Sequence, residues 1–475
     1  MKRVLALTTA ALTLAGCTLE PRYTPPVPAI PQAWPTGEAY PQAAAEAAPT
    51  LSYRALFRDP NLLALIDQAL AGNQNLRAAM ANVEIARAQY RAQRASLSPT
   101  LDAGASAGQD RARSSATGAR TTQRSYDADL AAAFELDLFG RLRSLSRAAQ
   151  EQYLATSAGA RAARLTLVGE VAQAYLTLAA DRTLLAISAD TVASSGRTVA
   201  LTQARLEGGV AARTDLSQAQ TLMEQARSDQ AELTAQVAQD RNALELLVGG
   251  SIPDSALPGG LEAVDGLLGE APAGLESRIL LRRPDVAQAE HALRAANAQI
   301  GAARAAFFPT ISLTGLAGYA SPQLGGLFAG RNFTWEAQSA ADLPIFAGGA
   351  HVAGLAGAKA ERELALANYQ QAIQSAFRDV ADALARRGVI DQQLAAQQDL
   401  AAAAATSYRL TTARYKEGVD TYLVALVAQR TLYGARQSLT QTRLARASNL
   451  VALYEALGGD AEIDALPVGA PALRP

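Results

Sequence analysis

Tyr126-Asp127-Ala128-Asp129-Leu130-Ala131-Ala132-Ala133-Phe134-Glu135-Leu136-Asp137 places apolar side chains at every even position and acidic or small ones at every odd position. A period of two puts these sets on opposite faces of a β-strand. The same alternation precedes it: Leu101, Ala103, Ala105 and Ala107 against Asp102, Gly104, Ser106 and Gly108, with a polar loop between the two stretches. It returns later in the chain. Ile311, Leu313, Gly315 and Ala317 alternate with Thr310, Ser312, Thr314 and Leu316; Phe333, Trp335, Ala337, Ala341 and Leu343 alternate with Thr334, Glu336, Gln338 and Asp342. Each stretch is close to the roughly 9–11 residues of a tilted transmembrane strand. An apolar outer face and a polar inner one fit a barrel with a wet lumen, although a soluble hairpin resting one face on helices alternates in the same way.

Outward from the hairpins the pattern becomes helical. Residues 140–207, 211–248 and 349–417 contain no proline and are rich in Ala, Gln, Leu, Arg and Glu, a helix-favouring mixture. An uninterrupted helix of about 65 residues runs about 100 Å, which calls for coiled-coil packing, with Ala permitting close approach. Several shorter helices with unmarked breaks would share this composition.

The two halves repeat each other. Gln89, Pro99, Thr100 and Gly108 return 210 positions on as Gln299, Pro309, Thr310 and Gly318. Glu170-Val171-Ala172, Gly209-Val210 and Ala219-Gln220 return 209 positions on as Asp379-Val380-Ala381, Gly418-Val419 and Ala428-Gln429, while Leu138-Phe139 matches Ile345-Phe346 at 207. The register includes Pro, Gly and Phe, so it is not a by-product of abundant Ala.

The ends set the compartment. Lys2 and Arg3 precede an apolar run, Val4 to Ala15, too short to span a bilayer. Leu14-Ala15-Gly16-Cys17 resembles the lipobox of bacterial lipoproteins, so residues 1–16 read as a signal peptide. Two acyl chains on Cys17 would anchor the protein firmly in lipid; an ordinary signal peptide with an incidental cysteine is the other reading. Cys17 is the single cysteine, which excludes an internal disulfide or a multi-cysteine metal site. Residues 17–50, with eight prolines from Pro21 to Pro49, read as an extended tether. Net charge is −1, from 43 basic and 44 acidic residues, so no nucleic-acid partner is indicated. No other stretch approaches about 18 unbroken apolar residues, so any membrane crossing must use strands. Four strands cannot enclose a lumen, because single-chain barrels begin at about eight, and open edges are untenable in lipid. Copies must therefore pool their strands, in a number the residues do not give.

Leu281-Arg282-Arg283-Pro284-Asp285-Val286, followed by Ala289-Glu290, Ala296-Asn297, Gln299-Ile300-Gly301 and Ala306-Phe307-Phe308-Pro309, resembles a signature of the TolC-like outer-membrane efflux lipoproteins. These are the outer membrane factors of tripartite RND-type pumps (the NodT/OprM-like subfamily). Leu56-Phe57-Arg58-Asp59-Pro60, Glu135 to Arg141, and Arg414-Tyr415-Lys416-Glu417-Gly418-Val419 resemble the family's mature start, strand-to-helix junction and second hairpin tip. Phe139 and Tyr53 stand where the family often has Trp. The resemblance covers about residues 51–457 and implies a mainly α protein with a membrane β-barrel, a trimeric α/β-barrel channel. Each protomer would give four transmembrane strands and internally duplicated long coiled-coil helices. It also implies a homotrimer, a periplasmic adaptor, an inner-membrane RND-type transporter as energy source, outer-membrane lipid around the strands, and no cofactor. Thr18 after Cys17, rather than Asp, favours the outer membrane. The implied order is 51–98 first helices, 99–139 first membrane hairpin, 140–248 first helical hairpin, and 249–308 equatorial segment and helix. Residues 309–346 form the second membrane hairpin, 347–457 the second helical hairpin and 458–475 a tail.

The glycine breaks at Gly208-Gly209-Val210 and Gly418-Val419 would reverse the chain at two tips, which the resemblance implies meet the adaptor. By resemblance Asp420 is a candidate aperture carboxylate, repeated by symmetry into a ring, with Tyr422, Arg213 and Asp215 as partners; helix capping is the competing role. Arg282, Arg283 and Asp285 beside Pro284 read as a charge-paired helix start. His291 and His351 read as surface or lumen side chains rather than metal ligands. Asp127, Asp129, Glu135, Asp137, Glu336 and Asp342 would make a barrel interior cation-friendly. No Ser-His-Asp arrangement, phosphate-cradling loop or paired catalytic carboxylate has meaningful spacing, so no enzyme is expected; the resemblance implies an exit channel for drugs or other small toxic compounds. A duct for type I protein secretion and a poreless periplasmic scaffold lipoprotein are the alternatives.

Overall fold

The computed structural model describes residues 18–27, 31, 33–40, 52–113, 118–265 and 277–459. Cys17 and the lipobox lie outside the described residues. The long elements are α1 (Pro60–Gly72), α2 (Gln74–Ala95), β1 (Thr100–Arg113), β2 (Arg120–Leu136), α3 (Arg141–Glu207) and α4 (Arg213–Val248). Then follow α5 (Pro284–Ala305), β3 (Thr310–Ser321), β4 (Phe333–Asp342), α6 (Ala350–Lys416) and α7 (Tyr422–Ala456). The unbroken reading of the helices holds: α3 and α6 are each 67 residues long. Among the described residues, no helix is long and apolar enough to cross a membrane. The chain divides into two compact units, one drawn from residues 1–27, 82–157 and 288–369, the other from 28–81, 158–287 and 370–475.

The first unit holds an antiparallel sheet in the order β1-β2-β3-β4. Its register aligns the alternation of all four strands. Leu101↔Ala132, Leu130↔Ala317 and Ala317↔Trp335 stand on one face; Gly104↔Asp129, Glu135↔Ser312 and Thr314↔Gln338 stand on the other. Leu316, opposite Glu336, is the one large apolar side chain on the polar face. Gly318 sits across from Asp129, where a Cβ would strike the Ala128 carbonyl. The strands of the first hairpin outrun the alternation. β1 continues to Arg113 and β2 begins at Arg120, where the sequence reads as polar loop because both faces there are polar and the period-two signal vanishes.

Residues 18–23 of the tether are held in this unit. The Leu19 carbonyl accepts from Arg304 Nη1 at 3.0 Å and the Pro21 carbonyl from Asn297 Nδ2 at 2.8 Å. Glu20 pairs with Arg147 at 2.9 Å, and Arg294 lies 5.1 Å from the Tyr23 ring centre. Gly140 leaves room for Thr18, whose Cα would lie 3.1 Å from a Cβ there. His291 also departs from the expected surface or lumen placement: it is part-buried, its Nδ1 2.7 Å from Glu151. His351 lies 5.6 Å from the Phe307 ring.

In the second unit, Asp59 caps α1 by accepting from the Asn61 amide at 2.8 Å, and Tyr175 of α3 donates to its other oxygen at 2.9 Å. Asn73 donates to the Leu247 carbonyl at 2.8 Å, holding the end of α1 to the end of α4. Trp34, further along the tether, stacks on Phe377 at 5.0 Å. Pro284 opens α5, as the sequence suggests, and Arg283 just before it forks onto Asp285 at 2.8 and 3.1 Å. The same guanidinium reaches the Ala456 carbonyl at 2.8 Å and Asp379 at 3.4 Å.

Candidate functional site: the sheet and the hairpin tips

The sheet has the chemistry of a membrane wall. Its apolar face is bare: Trp335 is 72% exposed and Leu101 71%. Water would not leave so wide an apolar face uncovered in a soluble monomer. On the polar face, Asp127 accepts from Ser106 at 3.1 Å. Glu135 and Asp137 do not remain free lumenal charges. Arg141 holds Glu135 through two nitrogens, at 2.7 to 3.2 Å, and Asp137 accepts from the Arg143 backbone amide at 2.9 Å and its Nε at 3.2 Å. These arginines open α3, so the two carboxylates fasten the strand-to-helix junction. Asp127, Asp129, Glu336 and Asp342 keep the position the alternation gives them.

Both tips end their long helix in the same way. At the first, Gly209 has φ +75°, its amide meets the Leu206 carbonyl at 3.0 Å, and the Val210 amide meets the Arg205 carbonyl at 2.8 Å. At the second, Gly418 has φ +77°, with amide contacts Gly418 to Tyr415 at 3.1 Å and Val419 to Arg414 at 2.9 Å. Each is a Schellman stop, in which a left-handed residue lets two amides fold back on orphan carbonyls. The first tip's Gly208 is not left-handed; Gly209 makes the turn. Val210 and Val419 point into solvent.

The polar candidates divide. Asp420 does not cap α7, whose N-cap Thr421 makes no side-chain bond. Its carboxylate receives Arg414 in a fork at 2.6 and 3.0 Å, and that guanidinium holds it below the usual carboxylate range. Tyr422 is buried, 2% exposed, its ring 5.4 Å from Tyr415 in a cluster with Leu222 and Leu426. Burial pushes its phenol above the ordinary range. It packs the tip's interior instead of presenting a polar group. Arg213 and Asp215 lie in the first turn of α4, the former exposed and the latter half-buried. The structure thus brings Asp420 to Arg414 rather than to Arg213 or Asp215.

One residue that the sequence reading passes over ties the two tips together. Arg205 donates to the Tyr415 carbonyl at 2.8 Å and lies 4.8 Å from that ring's centre, while Thr202 Oγ1 stands 3.3 Å from the Tyr415 hydroxyl. The 209-residue offset, which pairs Arg205 with Arg414, is the signal that could have found it.

Comparison with known proteins agrees with this geometry. The family described as outer membrane efflux protein matches residues 65–250 and 275–459. The toluene efflux pump outer membrane protein TtgC of Pseudomonas putida is 45% identical over 464 residues, covering 96% of each chain. The outer membrane protein OprJ of Pseudomonas aeruginosa is 41% identical over 452 residues, covering 94% of each. The open-state crystal structure of the Neisseria gonorrhoeae MtrE outer membrane channel superposes with a TM-score of 0.83 at 38% identity, over 93% of this chain and 98% of that one. The chain belongs to the outer membrane efflux protein family and is an outer-membrane channel of an efflux system.

Proposed function

We infer that three copies of this chain, anchored through acylated Cys17, pool their strands into one twelve-stranded barrel and form the passive exit duct of a tripartite efflux pump. The sheet carries this reading: one bare apolar face, one polar face, and two edges, β1 and β4, that need partners in lipid. The tips, with Val210 and Val419 exposed, meet a periplasmic adaptor, and an RND-type inner-membrane transporter drives the flow. Asp420, Tyr422, Arg213 and Asp215 set the aperture, Asp420 through its pairing with Arg414 and Tyr422 through packing. Relatives named for toluene efflux point to small apolar toxicants as cargo. The chain acts by conducting, without catalysis.

The decisive experiment is purification from membranes followed by mass measurement and planar-bilayer recording. A trimer with discrete conductance, raised by Asp420→Ala with Arg213→Ala, supports the duct. A monomer that never conducts, even with both substitutions, overturns it. Intact-mass analysis of wild type and Cys17→Ser tests the acyl anchor separately.

A further inference from the structure

The first hairpin is longer than the second, and its extra length is basic on one face only. β2 pairs with β3 from Leu136↔Ile311 to Tyr126↔Ser321, eleven residues of β2, about one tilted crossing of a bilayer core. β1 and β2 then continue together from Gly108↔Ser125 to Arg113↔Arg120, six further pairs, or about 20 Å along the strands. Within that extension Gln109↔Arg124, Arg111↔Thr122 and Arg113↔Arg120 fall on the face that carries Leu101, Leu130 and Tyr126 lower down; Asp110↔Gln123 falls on the opposite face. All four arginines therefore stand directly above the apolar face, and all are exposed. Arg113 Nε donates to the Gly118 carbonyl at 2.9 Å and Arg124 Nε to Gln109 at 3.1 Å. Both partners are neutral, so the charge is not cancelled. Tyr319 and Phe333, paired with each other, mark the upper margin of the apolar face just below them.

We propose that Arg111, Arg113, Arg120 and Arg124 form a binding surface for the phosphates of outer-leaflet glycolipid, the lipid A class. The proposal rests on the reading of the sheet as part of a membrane barrel. The helices leave each strand at the end opposite these arginines, so with the helices on the periplasmic side the arginines rise through the outer headgroup layer. A loop needing only solubility has no reason to confine its cations to the lipid side. Guanidinium forks match phosphate oxygens in geometry as well as charge, and each cation near an anionic surface adds about 1 kcal/mol of attraction.

The test uses the full-length protein in nanodiscs of phosphatidylcholine, titrated with lipid A, with dephosphorylated lipid A and with phosphatidylglycerol. The variant is R111Q/R113Q/R120Q/R124Q, and planar-bilayer conductance is recorded for both proteins. The expected result is lipid A binding weakened at least about tenfold in the variant, preferred over phosphatidylglycerol, lost on dephosphorylation, and with conductance unchanged. Equal lipid A binding by wild type and variant, or equal binding of phosphatidylglycerol, overturns the assignment while leaving the channel intact. Absence of conductance and insertion in the wild type overturns the barrel reading itself, and this proposal with it.

Discussion

Arg205, in the last turn of α3, clasps the last turn of α6 through the Tyr415 carbonyl at 2.8 Å, with its guanidinium over the same ring. A charge-assisted hydrogen bond contributes about 1.5–3 kcal/mol and the ring contact about 0.5–1 kcal/mol at an exposed site. Arg205→Ala should therefore loosen the hold of one tip on the other. In planar bilayers the variant should open more often than wild type. An unchanged open probability would show that the clasp does not restrain the tips.

Gly209 and Gly418 take the left-handed conformation, which costs an L-residue about 1–2 kcal/mol. Gly209→Ala and Gly418→Ala should each lower the unfolding temperature, whereas Gly208→Ala should not, since that glycine is not left-handed. Differential scanning calorimetry of the three variants separates these cases.

Arg283 serves two carboxylates and a carbonyl, with its side chain only 10% exposed. Its removal takes the charged donor from the Ala456 carbonyl, while Asp379 keeps Arg378 at 2.7 Å and Asp285 stays partly in water. A hydrogen bond to a charged group contributes about 1.5–3 kcal/mol, so Arg283→Ala should lower the melting temperature. Lys, lacking the fork, should rescue only part of the loss in thermal melts.

Two carboxyls in the second unit hold protons unusually tightly. Burial, then hydrogen bonding and charge from Asp240, pushes Asp181 up to about 7. Burial, reinforced by Glu170 and opposed by Arg283, pushes Glu455 up to about 7. The folded state binds these protons more tightly than the unfolded chain, whose values are 3.8 and 4.5. Their contribution to stability is complete below about pH 4, fades as pH rises, and is lost above about pH 7. Melting temperature should fall between pH 5 and 8, and Asp240→Asn should flatten that fall. A rising curve in the wild type would contradict the assignment.

On the sheet, the two faces should respond oppositely. Leu130→Arg puts a charge on the lipid side, a change costing about 2–4 kcal/mol near a bilayer midplane. Glu336→Gln on the other face should leave insertion intact. Flotation with lipid vesicles after refolding reads both.

Where a single physical signal dominates, the sequence shows the structure directly. Residues 126–136 alternate because lipid on one side and water on the other demand it, and the strand follows. Residues 109–113 and 120–125 pair just as well, yet both their faces are polar, so no period marks them as strand. Gly209 and Gly418 declare the tips because few other residues take their backbone conformation. Tyr422, by contrast, carries a hydroxyl in its name and a hydrophobic ring in its packing; only the neighbouring Tyr415 and Leu426 decide which counts. Arg205 gives no local signal, being one more cation at a polar helix end. The proline-rich leader looks like a free tether until Tyr23 and Trp34 are seen against their partners.

That leader also constrains the order in which the chain can fold. Its bonds from Glu20 to Arg147, Pro21 to Asn297 and Leu19 to Arg304 span 127, 276 and 285 residues. Contacts so distant in sequence form late, because the intervening chain must first be organised. Residues 19–21 are made well before their partners yet find their places after them, settling only where α3 and α5 have already been made.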